Sequence, residues 1–236
     1  MGGGMSDGWI RSETREEMNP TDESWFADFI LANTKLLAPP LVPEIRLHLA
    51  EESLPIWQKT EEELGEMNVP PPFWAFAWAG GQALARYVLD NPHEVAGKSV
   101  FDLGTGSGLT AIAARMAGAS RVLGADIDRI AVVAAQINAR VNGVDIEITD
   151  RNTLEGSPGG HGVVLVGDVF YERELAERVL TYVRTAAARG ARVLIGDPRR
   201  NYFPNEGLQQ VAEYRVPVTR DLEDALIKRT AVWALT

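Results

Sequence analysis

A chain of 236 residues with no cysteine and a formal net charge of −10 excludes disulfides, thiolate metal sites and a cysteine nucleophile. That charge repels a nucleic-acid backbone and favours a basic partner. Hydrophobic residues at 45% and charged ones at 24% describe a soluble globular protein with material for a sizeable core, and no apolar run approaches the ~20 residues of a membrane span.

His48, His93 and His161 stand at no metal-ligand spacing, so no metal site is expected. The absence of cysteine fits a reducing cytoplasm, and the N-terminus has no signal-peptide core.

Residues 1–23 are polar and read as a flexible N-terminus. "SWFADFILANTKLL" places Trp25, Phe26, Phe29, Ile30 and Leu37 on one helical face. "PEIRLHLAEE" alternates Ile45, Leu47 and Leu49 with polar residues, a strand pattern. Thr60 and Glu63 sit at capping-box spacing and predict a short acidic helix. Three prolines then lead into "FWAFAWAGGQALARYVLDNP", an apolar helix that ends near Asn91-Pro92.

From residue 98 short apolar strands alternate with helices. "SVFDL", "RVLGAD", "IEIT", "GVVLVG" and "ARVLIG" read as strands. Helices are expected at about 108–117, 129–141 and 173–188, with Gly143 and Gly190 at C-cap positions. Such alternation predicts a mostly parallel sheet with helices on both faces. "AEYRVPV" and "KRTAVWAL" follow as an antiparallel pair at its edge. The organisation expected is one α/β domain over 24–236, with an N-terminal helix/strand extension (24–97) before a Rossmann-like core (98–236).

The chemistry concentrates after the first core strand. Asp102 precedes Gly104, Gly106 and Gly108, and Asp126 ends the next strand. Glycines at alternate positions let the backbone turn tightly and a ligand approach it. A carboxylate at the second strand end can accept the hydroxyls of a ribose. The dinucleotide pattern G-x-G-x-x-G fails here, because Leu109 occupies its last position. A carboxylate at Asp102 suits a cationic ligand better than a pyrophosphate. S-adenosylmethionine, with a ribose, an ammonium and no phosphate, fits this pattern better than a dinucleotide does. A glycine-rich turn without a ligand is the alternative. Asp128 reads as a helix N-cap and Asp197-Pro198 as a turn.

Taken with "ANTKLLAPPLVPEIRLHLAEE", "PPFWAFAWAGGQALARYVLDNP", "GADIDRIA", "GDVFYE" and "ARVLIGDP", the glycine loop resembles that of the seven-strand, Rossmann-like methyltransferases. The likeness narrows to the methyltransferase-16-type protein lysine methyltransferases, and most of all to the electron transfer flavoprotein β-subunit lysine methyltransferases. It runs from about Phe26 to the C-terminus.

The resemblance implies a seven-strand methyltransferase sheet with an antiparallel C-terminal strand. It implies that Trp78 and the Gly80-Gly81 turn lie over S-adenosylmethionine, that Asp126 holds its ribose with Ile127 next in the contact, and that Asn152 sits beside the adenine. It puts Gly167-Asp168 at the methyl-transfer site and matches Asp168-Val169-Phe170-Tyr171 to an acidic-x-x-aromatic signature, which makes Asp168 and Tyr171 the catalytic candidates. The implied partner is a protein lysine, with the electron transfer flavoprotein β subunit as the nearest candidate substrate, and the enzyme is expected to act as a monomer.

Two departures stand out. Ala79 replaces a usual proline, and "GDPRR" puts Arg199 where glycine is commoner. Trp74 and Phe76 read as core, and Trp78 and Tyr171 also admit a packing role. Methylation of a small-molecule amine or of another protein, such as a ribosomal protein, and a non-catalytic binding module are the competing functions. Amino methylation of a nucleic-acid base is disfavoured, because Gly-Asp-Val-Phe stands where such enzymes commonly have Asn-Pro-Pro-aromatic.

Overall fold

The computed structural model describes residues 23–50, 71–218 and 227–236. The predicted acidic helix near Thr60 and the polar stretch 1–22 lie outside the described residues. The first helix, α1, spans Glu23–Asn33, and buries Phe26, Phe29 and Ile30. Leu37, expected on the same helical face, belongs instead to a strand, β1 (Lys35–Leu37), which pairs antiparallel with β2 (Leu47–Leu49). The helix ends because Asn33 and Thr34 turn their side chains back onto the carbonyls of Phe29 and Ile30, a local competition with helix continuation.

The chain resumes in a 3-10 turn, Phe73–Ala75, and helix α2, Ala79–Asp90. The core then alternates β3 (Ser99–Leu103), α3 (Leu109–Met116), β4 (Arg121–Ala125), α4 (Arg129–Val141), β5 (Glu147–Thr149), β6 (Val163–Gly167), α5 (Arg173–Ala188) and β7 (Arg192–Asp197). Two long strands, β8 (Leu208–Pro217) and β9 (Ile227–Leu235), close the chain. The seven-stranded sheet has the order β5-β4-β3-β6-β7-β9-β8. Strands β3 to β7 are parallel, and β9 runs antiparallel to both of its neighbours. This is the seven-strand, Rossmann-like α/β sheet that the sequence implied, including the antiparallel C-terminal pair at the edge.

Period-2 alternation along the strands builds both faces. Val100, Val163, Leu165 and Leu194 meet α2 and α3. Phe101, Val164, Val166, Val193 and Ile195 meet α5. Helix α2 therefore lies directly on the sheet rather than beside it. Its contact is unusually close at one point, where a Cβ at Gly80 or at Gly196 would overlap the other residue's carbonyl oxygen.

Asn138, fully buried on α4, ties the N-terminal extension to the core. Its Oδ1 accepts from the His48 backbone N–H (2.7 Å) and its Nδ2 donates to the Ser107 carbonyl (2.8 Å). The order of strands reverses between β3 and β6, which opens a crevice at their carboxyl ends. Gly143 and Gly190 take positive φ after α4 and α5, as the C-cap positions required.

Candidate active site

The crevice holds a cavity of about 670 Å³, a size typical of small-ligand sites. One end is built by the turn after β3. Gly104, Gly106 and Gly108 adopt φ of +68°, +51° and +83°, a left-handed backbone that glycine accepts without a steric cost. Asp102 braces this turn from beneath. Its carboxylate accepts the hydroxyls of Thr105 and Thr110, both at 2.6 Å, and burial pushes its pKa up to about 6.

Asp126 follows β4 directly. Its oxygens accept the N–H of Gly106 (2.9 Å) and of Asp128 (3.0 Å), and burial raises its pKa. The carboxylate thus fixes the glycine turn while still forming part of the cavity wall. Asp128 caps α4 as expected, accepting from the Ile130 N–H at 2.8 Å. Burial lifts its pKa to about 6. Ile127, 71% exposed, lines the cavity. Asn152 lines the same end and donates to Glu155 Oε1 at 2.9 Å.

The other end is assembled from four segments. Gly167 closes β6, and Asp168 follows in a left-handed conformation (φ +55°). The Asp168 Oδ2 accepts the backbone N–H of Gly80 and of Gly81. These are orphan donors at the N-terminus of α2, where Trp78 supplies no side-chain cap. A carboxylate there also faces the positive end of the helix dipole. The Asp168 Oδ1 receives Arg200 through both Nε and Nη2, each at 2.8 Å.

The Arg200 guanidinium lies 5.6 Å from the centre of the Trp78 ring, and its backbone N–H donates to Asp197 Oδ1 at 2.7 Å. Asp197 is fully buried, its Oδ2 has no partner among the described residues, and burial together with the Asp168 charge pushes its pKa up to about 7. Aromatic rings form the rim. Trp78 donates its indole N–H to the Phe73 carbonyl (2.8 Å), and Phe73 contacts both Trp78 and Tyr171 at centroid distances of 6.2 and 5.7 Å. Burial raises the Tyr171 pKa, so the phenol is neutral at physiological pH.

The structure brings Trp78, Gly104, Gly106, Asp126, Ile127, Asn152, Gly167, Asp168 and Tyr171 to one cavity wall. Asp102 and Gly108 do not reach it. The Asp102 carboxylate is spent on two threonine hydroxyls, and Gly108 is needed where α3 meets α4, since a Cβ would press on Ala135 at 3.1 Å. Asp168 is no open carboxylate, because both oxygens are already engaged. Arg200, Asp197 and Phe73 were missed as site residues. The Asp197–Arg200 turn has a local signal, an Asp accepting a backbone N–H three residues on. Nothing in the local pattern pairs Arg200 with Asp168.

Comparisons with known proteins identify the family. The electron transfer flavoprotein beta subunit lysine methyltransferase of Rattus norvegicus is 41% identical over 199 residues, 82% of this chain and 77% of that protein. The protein of the same name from Danio rerio is 36% identical over 228 residues, 93% and 87% of the two chains. The chain belongs to this family.

A family model described as ribosomal protein L11 methyltransferase (PrmA) matches residues 82–170. The solved ribosomal protein L11 methylase of Lactobacillus delbrueckii subsp. bulgaricus is similar at 23% identity, covering 65% of this chain and 76% of that one with a TM-score of 0.45. By its family the chain is a methyltransferase, and so an enzyme, and S-adenosylmethionine is the methyl donor expected from its sequence pattern. The residues present fit that cofactor. The wall offers a carboxylate at Asp126, an open aliphatic face at Ile127 and a glycine turn, where a Cβ at Gly104 would press on Val169 at 3.2 Å. Among the described residues no cluster suits a metal ion, and no helix is long and apolar enough to cross a membrane.

Proposed function

We propose that the enzyme methylates lysine side chains of the electron transfer flavoprotein β subunit. The observation that carries this reading is one cavity with two differently built ends. A glycine turn with Asp126 stands at one, and an aromatic gateway of Phe73, Trp78 and Tyr171 over Asp168 at the other. Six relatives that share 31–41% identity bear the same substrate in their names.

In this reading Gly104, Gly106, Asp126, Ile127, Asn152, Gly167 and Trp78 hold the cofactor, which supplies an electrophilic methyl group on a sulfonium. Asp168 fixes the transfer end by clamping the Gly80-Gly81 turn and Arg200. Tyr171 and Phe73 form the walls of a channel for an aliphatic side chain. Their rings exclude water from the reacting nitrogen and restrict its approach, and orientation of this kind is worth several kcal/mol in a displacement. The match to the ribosomal protein L11 methyltransferase model stops at residue 170, before the Asp197–Arg200 turn. It covers the glycine turn, Asp126 and Asp168, and so supports the shared methyltransferase core rather than a ribosomal substrate. The same reading has a monomer at work in the cytoplasm on protein, and the net charge of −10 suits a partner that presents a lysine.

Incubation with labelled S-adenosylmethionine and purified β subunit, followed by peptide mass spectrometry, tests the proposal. Label on lysine is expected. Label only in small molecules or nucleic acid of an added extract would overturn it.

A further inference from the structure

We infer that Tyr202 is a docking residue for the protein substrate: braced by Arg173, it continues the aromatic gateway outward and receives an apolar side chain close in sequence to the target lysine. The inference rests on the lysine-methylating reading above.

Among the described residues the exposed phenylalanine and tyrosine side chains are Phe73, Tyr171 and Tyr202. The first two form the gateway. The third stands beside it. The Tyr202 backbone N–H donates to the Phe170 carbonyl at 3.1 Å, which ties the turn after β7 to the segment that carries Tyr171. Tyr202 follows Arg200 by two residues, and Arg173 lies between Tyr171 and Leu175. Arg200, Tyr171 and Leu175 all line the cavity, whereas Tyr202 and Arg173 do not. The Arg173–Tyr202 pair therefore lies just outside the wall, on surface continuous with the mouth.

Exposed aromatic rings gathered around the mouth of a site mark a surface that a partner completes. Tyrosine suits such a surface, because it offers a large contact area and loses little conformational freedom when it is covered. The Arg173 guanidinium, 5.2 Å from the centre of the Tyr202 ring, restricts the ring further. It stands over one face of the ring, and the surface left over is apolar. An aliphatic or aromatic side chain fits that surface better than a charged head. The occupant follows from the position. A lysine that enters the channel brings its own backbone to this rim. An extended chain advances about 3.3 Å per residue, so residues within a few positions of the lysine pass the ring.

The test is steady-state kinetics with the whole β subunit. Tyr202→Ala should raise the KM for the β subunit about five- to thirtyfold. Its kcat and its affinity for S-adenosylmethionine should stay within about twofold of wild type, the split expected when a contact remote from the reacting centre is lost. Tyr202→Phe, which keeps the ring, should bring the KM back to within about twofold of wild type. Alanine is also placed, one position at a time, on both sides of the labelled lysine. One such change should raise the KM with wild type and have little further effect with Tyr202→Ala, because residues in contact are not additive.

Hydroxyl-radical footprinting of wild type gives a second reading that needs no variant. Oxidation of Tyr202 should fall by about threefold or more when the β subunit and S-adenosylhomocysteine are added, since a docked contact excludes water. Melting curves confirm that each variant is folded, and if Tyr202→Ala does not fold, the footprint decides alone. An unchanged KM in folded Tyr202→Ala, a loss confined to kcat, or a Tyr202 left unprotected in the complex would overturn the inference. Protection that grows with enzyme concentration alone would assign the ring to a second copy of the chain and overturn it as well. Failure of wild type to methylate the β subunit would instead sink the substrate reading, and the inference with it.

Discussion

The two ends of the cavity are made of different kinds of contact. At the cofactor end the decisive bonds are short in sequence. Thr105 reaches Asp102 across three residues, and Gly106 reaches Asp126 across twenty. At the transfer end Gly80 reaches Asp168 across 88 residues and Arg200 reaches it across 32. The first end is one strand–turn–helix unit with its neighbouring strand. The second exists only when α2, β6 and β7 have come together. Local construction makes an end readable and tolerant, whereas long-range construction makes it dependent on every packing contact that brings its parts into register.

Gly80→Ala should separate the two ends most sharply. The added methyl would overlap the Gly196 carbonyl oxygen and Asp168 Oδ2, both of them fixed. Overpacking against backbone costs about 3 kcal/mol or more, and a melting midpoint lower by roughly 6–12 °C is expected for a domain of this size. A midpoint within a degree or two of wild type would show that α2 can retreat and that the transfer end is looser than described.

Asp126→Ala probes the local end. Loss of hydrogen bonds to a charged acceptor, about 1.5–3 kcal/mol each, should weaken S-adenosylmethionine binding by one to two decades in calorimetry. Unchanged affinity in a folded variant would place the ribose elsewhere.

Asp197 allows a test by pH. Its pKa lies near 7 in the fold against about 3.9 for an unperturbed aspartate, so the folded state holds a proton that the unfolded state releases. That contribution is fully present below about pH 4 and is lost as the pH rises through about 7. Asp197→Asn should therefore be more stable than wild type at pH 8, by on the order of 2 kcal/mol, and should lose that advantage progressively below about pH 7 until it is gone at about pH 4. Parallel stability curves for the two proteins would mean that Asp197 is not protonated on folding.

The smallest effect is expected at Arg199. Its φ of +65° explains why glycine suits this turn, and its guanidinium lies 4.9 Å from the centre of the Trp233 ring. Relief of left-handed strain, about 1 kcal/mol or more, is opposed by loss of an exposed cation–π contact of about 0.5–1 kcal/mol. Arg199→Gly should stabilise by less than about 1 kcal/mol in denaturant titration. A clear loss of stability would mean that the Trp233 contact outweighs the strain.

The same contrast decides what the sequence could tell. Strands and helices from residue 98 onward were legible because the hydrophobic period changes clearly from one element to the next, reinforced by a capping residue at Asp128 and glycine stops at Gly143 and Gly190. Leu37 was misplaced because its spacing continues the helical face while Asn33 and Thr34 end the helix by side-chain bonds that periodicity does not register. Asp102 was read as a ligand for a cation because its place before the turn is visible, but the two threonines that consume it are not. The motif put Asp168 at the end of its strand, but its partners could not be read, since only the folded chain brings it Gly80, Gly81 and Arg200. Asp197 does begin a turn, as its sequence suggested, but burial of its carboxylate leaves no mark in a sequence.

The most direct measurement is a crystal structure of the complex with S-adenosylhomocysteine, whose sulfur marks where the methyl group leaves. The account predicts the ribose at Asp126, the adenine beside Ile127 and Asn152, and the sulfur at the end lined by Trp78, Asp168 and Tyr171. An adenosine lodged against Asp168 and Arg200, or a sulfur remote from the aromatic gateway, would contradict it.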